Sequence, residues 1–301
     1  MSNLRLLRAL PTRQGRPPTH LGEYDENGRK IPCVVRTFDR SSLGGWAEQR
    51  HAWTGIRHSN MISILDSGID TSSGRPFVAI ELRQGLALDA VVARGARLGR
   101  WPSRESTVLV GISALSAIAA LAARLGSDDE AGRALRQTTS VAPDAIHIGF
   151  DGSVRLMATT GALSYLSPEQ ARGERFGVPA YVYQTAVLLF ELLTRNHPTV
   201  LPGASQGIQV FERIAKRDGP RPDIASPLAE VIERSLRNKV TERPPLAELL
   251  AALKSSCSPR RLDSGQAELA ELAREAARKS RPFGRASQGR AGRERPKAGG
   301  R

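Results

Sequence analysis

The chain has 301 residues, two cysteines and a formal net charge of +14 at pH 7. Its 40% hydrophobic content is typical of one large or two small globular domains. Cys33 and Cys257 lie far apart and form no Cys-x-x-Cys pair, which argues against a zinc site or a disulfide framework and predicts a reducing, cytoplasmic location. The first eight residues contain no apolar segment of the kind found in signal peptides, so none is predicted.

More than half of the net positive charge lies at the C-terminus. Residues 278–301 contain nine Lys or Arg residues and one acidic residue, Glu294. Because the segment from Ser280 consists mainly of Gly, Arg, Ser and Pro, we expect it to be disordered. Such a tail predicts weak binding to nucleic acid or to another acidic surface, although a solvated tail that only improves solubility explains the same composition.

The first 82 residues combine β-branched and apolar residues with turn signals. Four strands are predicted: Leu4–Leu10, Ile31–Phe38, Met61–Gly68 and Pro76–Leu82. The stretch between residues 11 and 19 contains too many prolines for a regular strand. A short helix is predicted over Trp46–Ile56.

From Leu86 onward the apolar residues recur at helical spacing. Six helices are predicted: Leu86–Ala93, Val108–Leu125, Tyr181–Thr194, Ile208–Lys216, Pro227–Leu236 and Leu246–Leu253. Two short strands, Ile146–Ile148 and Val154–Met157, interrupt this series. The longest uncharged run, Thr107–Ala123, is shorter than the roughly 20 apolar residues that span a bilayer. We therefore expect a buried core helix rather than a membrane span.

Another helical pattern follows Cys257. Leu269, Leu272, Ala273 and Ala276 recur at helical spacing, and Ser264 is a candidate N-cap. Acidic-to-basic pairs such as Glu275 with Lys279 favour a helix whose charged side chains face solvent.

Four short motifs carry the strongest functional signal. They are R-H-S-N-M-I at Arg57–Ile62, F-V-A-I-E-L at Phe77–Leu82, Y-L-S-P-E-Q-A-R-G at Tyr165–Gly173, and V-L-L-F-E-L-L-T at Val187–Thr194 followed by Glu242-Arg243-Pro244. In this order and spacing they resemble bacterial Ser/Thr protein kinases over residues 4–256. The resemblance implies an α+β, bilobal protein-kinase-like fold, with a β-rich N-lobe over residues 4–82 and a larger helical C-lobe over 83–256. A helix and a disordered basic tail are expected over 257–301.

The same resemblance shows which catalytic positions have changed. Ser140 stands where the family has its catalytic base, Ala145 where it has a metal-binding Asn, and Ala158 where it has the metal-binding Asp of the D-F-G motif. Phosphoryl transfer requires metal ions and a group that accepts the substrate proton, which these side chains do not supply. Only six residues separate Thr160 from Ser167, so the activation segment is much shorter than in active relatives.

The nucleotide-binding positions are also altered. Where the family has a glycine-rich loop, the chain has only Gly15 and Gly22, with Pro17 and Pro18 between them. Prolines remove backbone donors, so a phosphate clamp is not expected. Arg36 stands at the position of the phosphate-binding Lys and is interpreted either as a phosphate contact or as a surface charge on an edge strand.

Three further positions bear on the nucleotide. Val34 replaces a small residue and would crowd an adenine ring. The position of the helix αC glutamate is Gln49, and the neighbouring Glu48 is interpreted as a surface residue because a shift of one position turns a helical side chain by about 100°. Asp144 is either a replacement carboxylate or an ordinary loop residue.

Structural positions of the family are retained. The resemblance implies a buried ion pair between Glu169 and Arg243. It also places Tyr181 where the family has an Asp that braces the catalytic loop, so this loop is expected to be held differently.

These features predict a catalytically impaired domain, a pseudokinase, that acts as a signalling scaffold or regulator by binding an unidentified protein, without a required cofactor or metal. Two alternatives remain open. The first is a residual or noncanonical ATP-dependent kinase that binds ATP and Mg²⁺ with ligands from elsewhere, such as Asp66, Asp151 or Glu81. The second is binding of an anion or nucleic acid through residues 278–301.

Overall fold

The computed structural model describes residues 3–11, 18–39, 51–199, 208–216, 220, 222–223 and 227–278. Within these ranges a β-rich N-terminal part precedes a larger helical part. This arrangement is consistent with the expected bilobal, α+β kinase-like fold. The basic tail lies outside the described residues.

The N-terminal part is a five-stranded antiparallel sheet with the strand order β1-β2-β3-β5-β4. Its strands are β1 (Leu4–Ala9), β2 (Thr19–Glu26), β3 (Arg29–Thr37), β4 (Ile64–Ile69) and β5 (Pro76–Glu81). Asn27 and Gly28 both have positive φ angles, 56° and 85°, and form the two-residue turn between β2 and β3. Alternate residues of β3 and β5, including Cys33, Val35 and Phe77, bury one face of the sheet.

Two predictions for this part need correction. Strand β2 was missed, because the prolines that argued against a strand end at Pro18 and β2 begins at the next residue. The helix predicted over residues 46–56 does not reach Ile56, since Ala52, Trp53 and Gly55 lie in turns and Thr54 forms a β-bridge with Ile64. Residues 46–50 of that prediction lie outside the described part of the chain.

The helical part is built on a three-stranded antiparallel sheet and nine α-helices within the described ranges. The strands are β6 (Gly85–Ala87), β7 (Ile146–Gly149) and β8 (Val154–Leu156). The helices are α1 (Leu88–Arg97), α2 (Arg104–Leu125), α3 (Glu130–Gln137), α4 (Pro168–Ala171), α5 (Val178–Thr194), α6 (Ile208–Lys216), α7 (Leu228–Ser235), α8 (Leu246–Ser255) and α9 (Pro259–Arg278). Short 3₁₀ turns occur at Pro143–Ala145, Leu163–Tyr165 and Val240–Glu242.

Helix α2 forms the centre of the helical part. Its N-cap Ser103 accepts a hydrogen bond from the backbone N–H of Ser106. Among the described helices it is the one whose length and composition would suit a membrane span, but it packs against α5, α8 and α9 as a core helix does. The approach to α5 is so close that a Cβ on Gly111 would lie 2.9 Å from Leu189 Cδ2.

Helix α9 is docked on the rest of the helical part rather than solvated. It begins at Pro259, so Ser264 is an interior residue and not the N-cap that the sequence predicted. Glu268 accepts hydrogen bonds from the start of α2, and Arg100 forms ion pairs with Glu271 and Glu275, each at 2.9 Å. The predicted partner of Glu275, Lys279, lies outside the described residues. The buried face comprises Gly265, Leu269, Ala270, Leu272, Ala273 and Ala276.

Candidate functional site

The altered catalytic loop follows α3 and ends in the 3₁₀ turn at Pro143–Ala145. Ser140 is only 2% exposed and Ala145 is fully buried. The Ala145 carbonyl accepts a hydrogen bond of 2.8 Å from the backbone N–H of Met157, the residue before Ala158. The fold therefore brings together the two positions that the resemblance aligns with metal ligands, and both carry methyl groups.

The shortened activation segment lies directly on this loop. Gly161 has a φ of +67°, and a Cβ at this residue would lie 2.1 Å from Ser140 Oγ and 3.2 Å from Ala142 Cβ. Only glycine tolerates both the left-handed backbone and the close approach. The space next to the former base position is therefore filled by the chain's own backbone.

Asp144 holds the same segment. Its Oδ1 accepts a hydrogen bond of 3.3 Å from the backbone N–H of Ala162. Burial raises the pKa of the Asp144 carboxyl above its ordinary value, and the Ala162 hydrogen bond opposes this shift. This carboxylate is thus engaged in a contact within the chain.

Helix α5 braces the loop with two side chains three residues apart. The buried Tyr181 hydroxyl donates to the carbonyl of Arg136 at 3.3 Å, and burial raises the pKa of this hydroxyl. Gln184 Oε1 accepts a hydrogen bond of 2.7 Å from the backbone N–H of Val141. These neutral contacts hold the end of α3 and the loop that follows it, where the resemblance implies that an aspartate would do so. Sequence analysis missed Gln184, although its spacing from Tyr181 places both on one helix face.

Gln184 also joins the loop to the segment before α4. Its Nε2 donates to Gln170 Oε1 at 2.8 Å, and the same oxygen accepts the backbone N–H of Ser167 at 2.9 Å. Ser167 and Gln170 form a capping box at the start of α4. A continuous chain of neutral hydrogen bonds therefore runs from Val141 to Ser167.

Glu169 and Arg243 form a buried, bidentate ion pair. Both nitrogen–oxygen distances are 2.8 Å, and the Arg243 and Glu169 side chains are 0% and 3% exposed. The guanidinium also donates to the carbonyls of Arg237, Asn238 and Pro179, and its Cζ lies 5.0 Å from the ring centroid of Tyr183. The ion pair and these hydrogen bonds link α4 to the segment between α7 and α8.

The structure places the nucleotide-related positions differently from the prediction. Strand β3 is central, with β2 and β5 on its two sides, so Arg36 is not on an edge strand; its side chain is exposed on the sheet. Gly22 lies inside β2, where a Cβ would meet Arg5 O at 2.9 Å and Cys33 Sγ at 3.3 Å. It is a packing glycine and not part of a loop. Gly15, Pro17, Glu48 and Gln49 lie outside the described residues.

Two basic residues, His147 and Arg155, lie on the face of β7 and β8 opposite the core residues. His147 and Arg155 are cross-strand partners, and the His147 ring packs against Gly85 after β5. Burial and the charge of Arg155 lower the pKa of His147, while burial and the nearby Arg83 lower the pKa of Arg155. Arg83 in turn pairs with Glu81.

The carboxylates considered as substitute ligands have other contacts or positions. Glu81 forms the ion pair with Arg83, Asp151 accepts hydrogen bonds from Ser153 in the turn between β7 and β8, and Asp66 lies within β4. Within the described ranges, no group of three or more His, Cys, Asp or Glu side chains is arranged to hold a metal ion.

Curated bacterial kinases are similar to the chain over most of its length. Serine/threonine-protein kinase pkn3 of Myxococcus xanthus is 26% identical over 272 residues, which cover 79% of this chain and 48% of that protein. Serine/threonine-protein kinase Pkn1 of the same organism is 27% identical over 299 residues, or 94% of this chain and 40% of that protein. The probable serine/threonine-protein kinase PknB of Corynebacterium glutamicum is 25% identical over 226 residues, 67% of this chain and 32% of that protein.

The chain thus spans about half the length of these relatives, or less. No protein-family model matches it. Its β-rich N-terminal part and helical C-terminal part nevertheless agree with what these relatives imply. Taken together, the relatives and the fold support a bacterial-type Ser/Thr protein kinase family for this chain.

Proposed function

We propose that this chain is a catalytically impaired protein-kinase-like domain, a pseudokinase, that acts by binding another protein. The observation that carries the proposal is the contact between Gly161 and Ser140. A catalytic base must lie within hydrogen-bonding reach of the substrate hydroxyl. At this position the chain has a buried serine, and its own activation segment fills the adjacent space.

The metal-binding positions support the same proposal. Ala145 and Ala158 have no oxygen ligands in their side chains, whereas Mg²⁺ prefers carboxylate oxygens and water. The nearby carboxylate of Asp144 binds the backbone of Ala162 and would have to release it before it could accept a proton or a metal.

The contacts that fix the loop and α4 support a role in which a rigid surface binds another protein. The neutral contacts of Tyr181 and Gln184 fix the loop, and the Glu169–Arg243 pair fixes α4. A rigid surface of this kind suits binding of a protein partner, because a pre-organised surface loses little conformational freedom on association.

The test is an assay of phosphoryl transfer by the full chain with radiolabelled ATP, Mg²⁺ or Mn²⁺ and a generic basic protein substrate. We expect no transfer above that seen without the chain, with an active Ser/Thr kinase as the positive control. A thermal-shift titration with ATP, with and without metal, is expected to move the Tm by less than about 1 °C, since a ligand stabilises only the state that it binds. Metal-dependent transfer that is lost in Asp144→Asn would refute the proposal.

A further inference from the structure

A cavity of about 260 Å³ lies in the helical part, and none of residues 138–145 of the catalytic loop lines it. It is formed where the end of α2, helix α3 and the start of α5 meet the 3₁₀ turn at Val240–Glu242. Its lining combines apolar residues with two arginines: Leu125, Phe176, Pro179, Val240, Arg136 and Arg175. Val240 is 40% exposed and the Arg175 side chain is 69% exposed, so both lie at the mouth.

Arg136 gives the cavity a buried positive charge. The residue is 8% exposed, and its Nη1 donates to the carbonyls of Leu125 at 2.9 Å and Ser127 at 2.5 Å. Within the described residues, its Nε and Nη2 make no hydrogen bond; the closest carboxylate oxygen, Asp128 Oδ1, is 3.9 Å from Nη2. A guanidinium has five N–H donors, and a buried one is stabilised when an acceptor meets them.

The nearby carboxylates leave room for such an acceptor. Glu169 also lines the cavity, but Arg243 binds both of its oxygens. Asp128 is 63% exposed and lies outside the lining; its Oδ1 is 2.6 Å from Arg175 Nη2. Asp128 therefore shows that a carboxylate is held at the mouth, and it competes with any ligand for the same arginines.

We propose that this cavity binds an acidic side chain, together with an adjacent apolar residue, from an extended segment of a protein partner. The carboxylate would accept hydrogen bonds from Arg136 and Arg175, whose planar guanidinium groups match its geometry. The apolar neighbour would cover Phe176 and Val240. None of residues 138–145 of the catalytic loop lines the cavity, so the proposal would stand even if phosphoryl transfer were detected.

The probe is a fluorescently labelled peptide Ala-Leu-Glu-Leu-Ala with blocked ends, and the matched neutral probe has Gln in place of Glu. Fluorescence polarisation with the full chain at about 150 mM salt should show that the Glu peptide binds about tenfold more tightly than the Gln peptide. Asp128→Asn should tighten binding of the Glu peptide several-fold, because it removes the competing carboxylate.

The matched pair of variants is Arg175→Gln and Arg124→Gln. Both remove one exposed positive charge near the end of α2, but Arg124 does not line the cavity. Because the basic residues 278–301 also attract acidic peptides, this comparison decides the question. We expect Arg175→Gln to weaken binding of the Glu peptide several-fold more than Arg124→Gln does.

Arg136→Lys is a further test variant, which keeps the positive charge but removes the planar guanidinium that can donate two hydrogen bonds to one carboxylate. It should weaken binding while the Tm shows that the chain still folds. The proposal is wrong if the Glu and Gln peptides bind equally, if Arg175→Gln and Arg124→Gln have the same effect, or if Asp128→Asn does not tighten binding. Competition by inorganic phosphate as strong as that by the Glu peptide would also contradict it, since the apolar contact would then contribute nothing.

Discussion

The loop around Ser140 and the segment around Glu169 pack against the same helix, α5, and are held by different kinds of contact. Both residues are 2% exposed. The loop contains one carboxylate, Asp144, and is held mainly by neutral hydrogen bonds from Tyr181 and Gln184, whereas the segment contains a fully buried ion pair. A buried charge is tolerated only with a matched partner, so charges leave a site together or remain together. The comparison teaches that the scaffold around α5 does not depend on one kind of contact, since neutral hydrogen bonds hold the loop and a buried ion pair holds the segment.

The largest expected effect comes from breaking the retained pair. Glu169→Ala should lower the free energy of unfolding by about 3–5 kcal/mol, because it leaves the Arg243 guanidinium buried without its carboxylate. Urea denaturation followed by circular dichroism measures this difference.

A surface ion pair provides the control for this variant. Arg234 and Glu248 are 2.6 Å apart, but their side chains are 43% and 44% exposed. Glu248→Ala should therefore cost less than about 1 kcal/mol. Equal costs for the two variants would show that the buried pair is not the anchor of this segment.

The next largest effect comes from the filled catalytic loop. Gly161→Ala should lower stability by roughly 2–4 kcal/mol, because the new methyl group strains a left-handed residue and clashes with Ser140. The double variant Ser140→Gly, Gly161→Ala removes the clash with the Ser140 side chain and leaves the backbone strain and the tight contact with Ala142 Cβ at 3.2 Å.

A double-mutant cycle with Ser140→Gly, Gly161→Ala and the combined variant measures the coupling between the two residues. We expect that adding Ser140→Gly to Gly161→Ala recovers part of the stability that Gly161→Ala removes. Purely additive free energies would mean that the activation segment does not rest on Ser140 in solution, and the main support for the proposed function would be lost.

The smallest expected effect is a pH dependence of stability that arises from His197, a neighbour of Tyr165. The Tyr165 hydroxyl donates to Glu191, and its ring centroid lies 5.1 Å from that of His197. Burial lowers the pKa of His197 from 6.5 to about 4. The unfolded chain therefore binds a proton that the folded chain rejects, and stability should fall as pH drops from about 6.5 towards 4. His197→Gln should make this fall shallower.

The measurement is the Tm between about pH 7.5 and pH 5 for the original chain, for His197→Gln and for His51→Gln, in which the replaced histidine is exposed. Burial raises the pKa of the Glu191 carboxyl, which favours the folded state at lower pH and so acts in the opposite direction. Identical pH slopes for His197→Gln and His51→Gln would contradict the prediction.

Much of the fold could be predicted from local patterns. The helix predicted over Ile208–Lys216 has those bounds in the structure, and the one predicted over Leu246–Leu253 ends only two residues later. The turn signal before Ile31 correctly preceded a strand, because Asn27 and Gly28 tolerate positive φ. Each of these features depends on residues that are neighbours in the chain.

The contacts that define the site depend on residues distant in the chain. Gly161 is one of many glycines in the sequence. Only its close approach to Ser140 in the fold shows why this position requires a glycine. Gln184 accepts a hydrogen bond from the backbone N–H of Val141, which lies 43 positions earlier in the chain. Helix α3 and its buried Arg136 were missed because its eight residues are too few for a clear apolar period.

The docking of α9 has a mechanical consequence for the end of the chain. Gln266 and Arg274 donate to the carbonyls of Asp151 and Phe150, and Gly152 approaches the helix so closely that a Cβ would lie 2.0 Å from the Gln266 carbonyl oxygen. The last described residue, Arg278, therefore leaves from a fixed point. A pull on the basic residues that follow it would be transmitted through α9 to Arg100 and to the β7–β8 turn, which makes α9 a tether between those residues and the helical part.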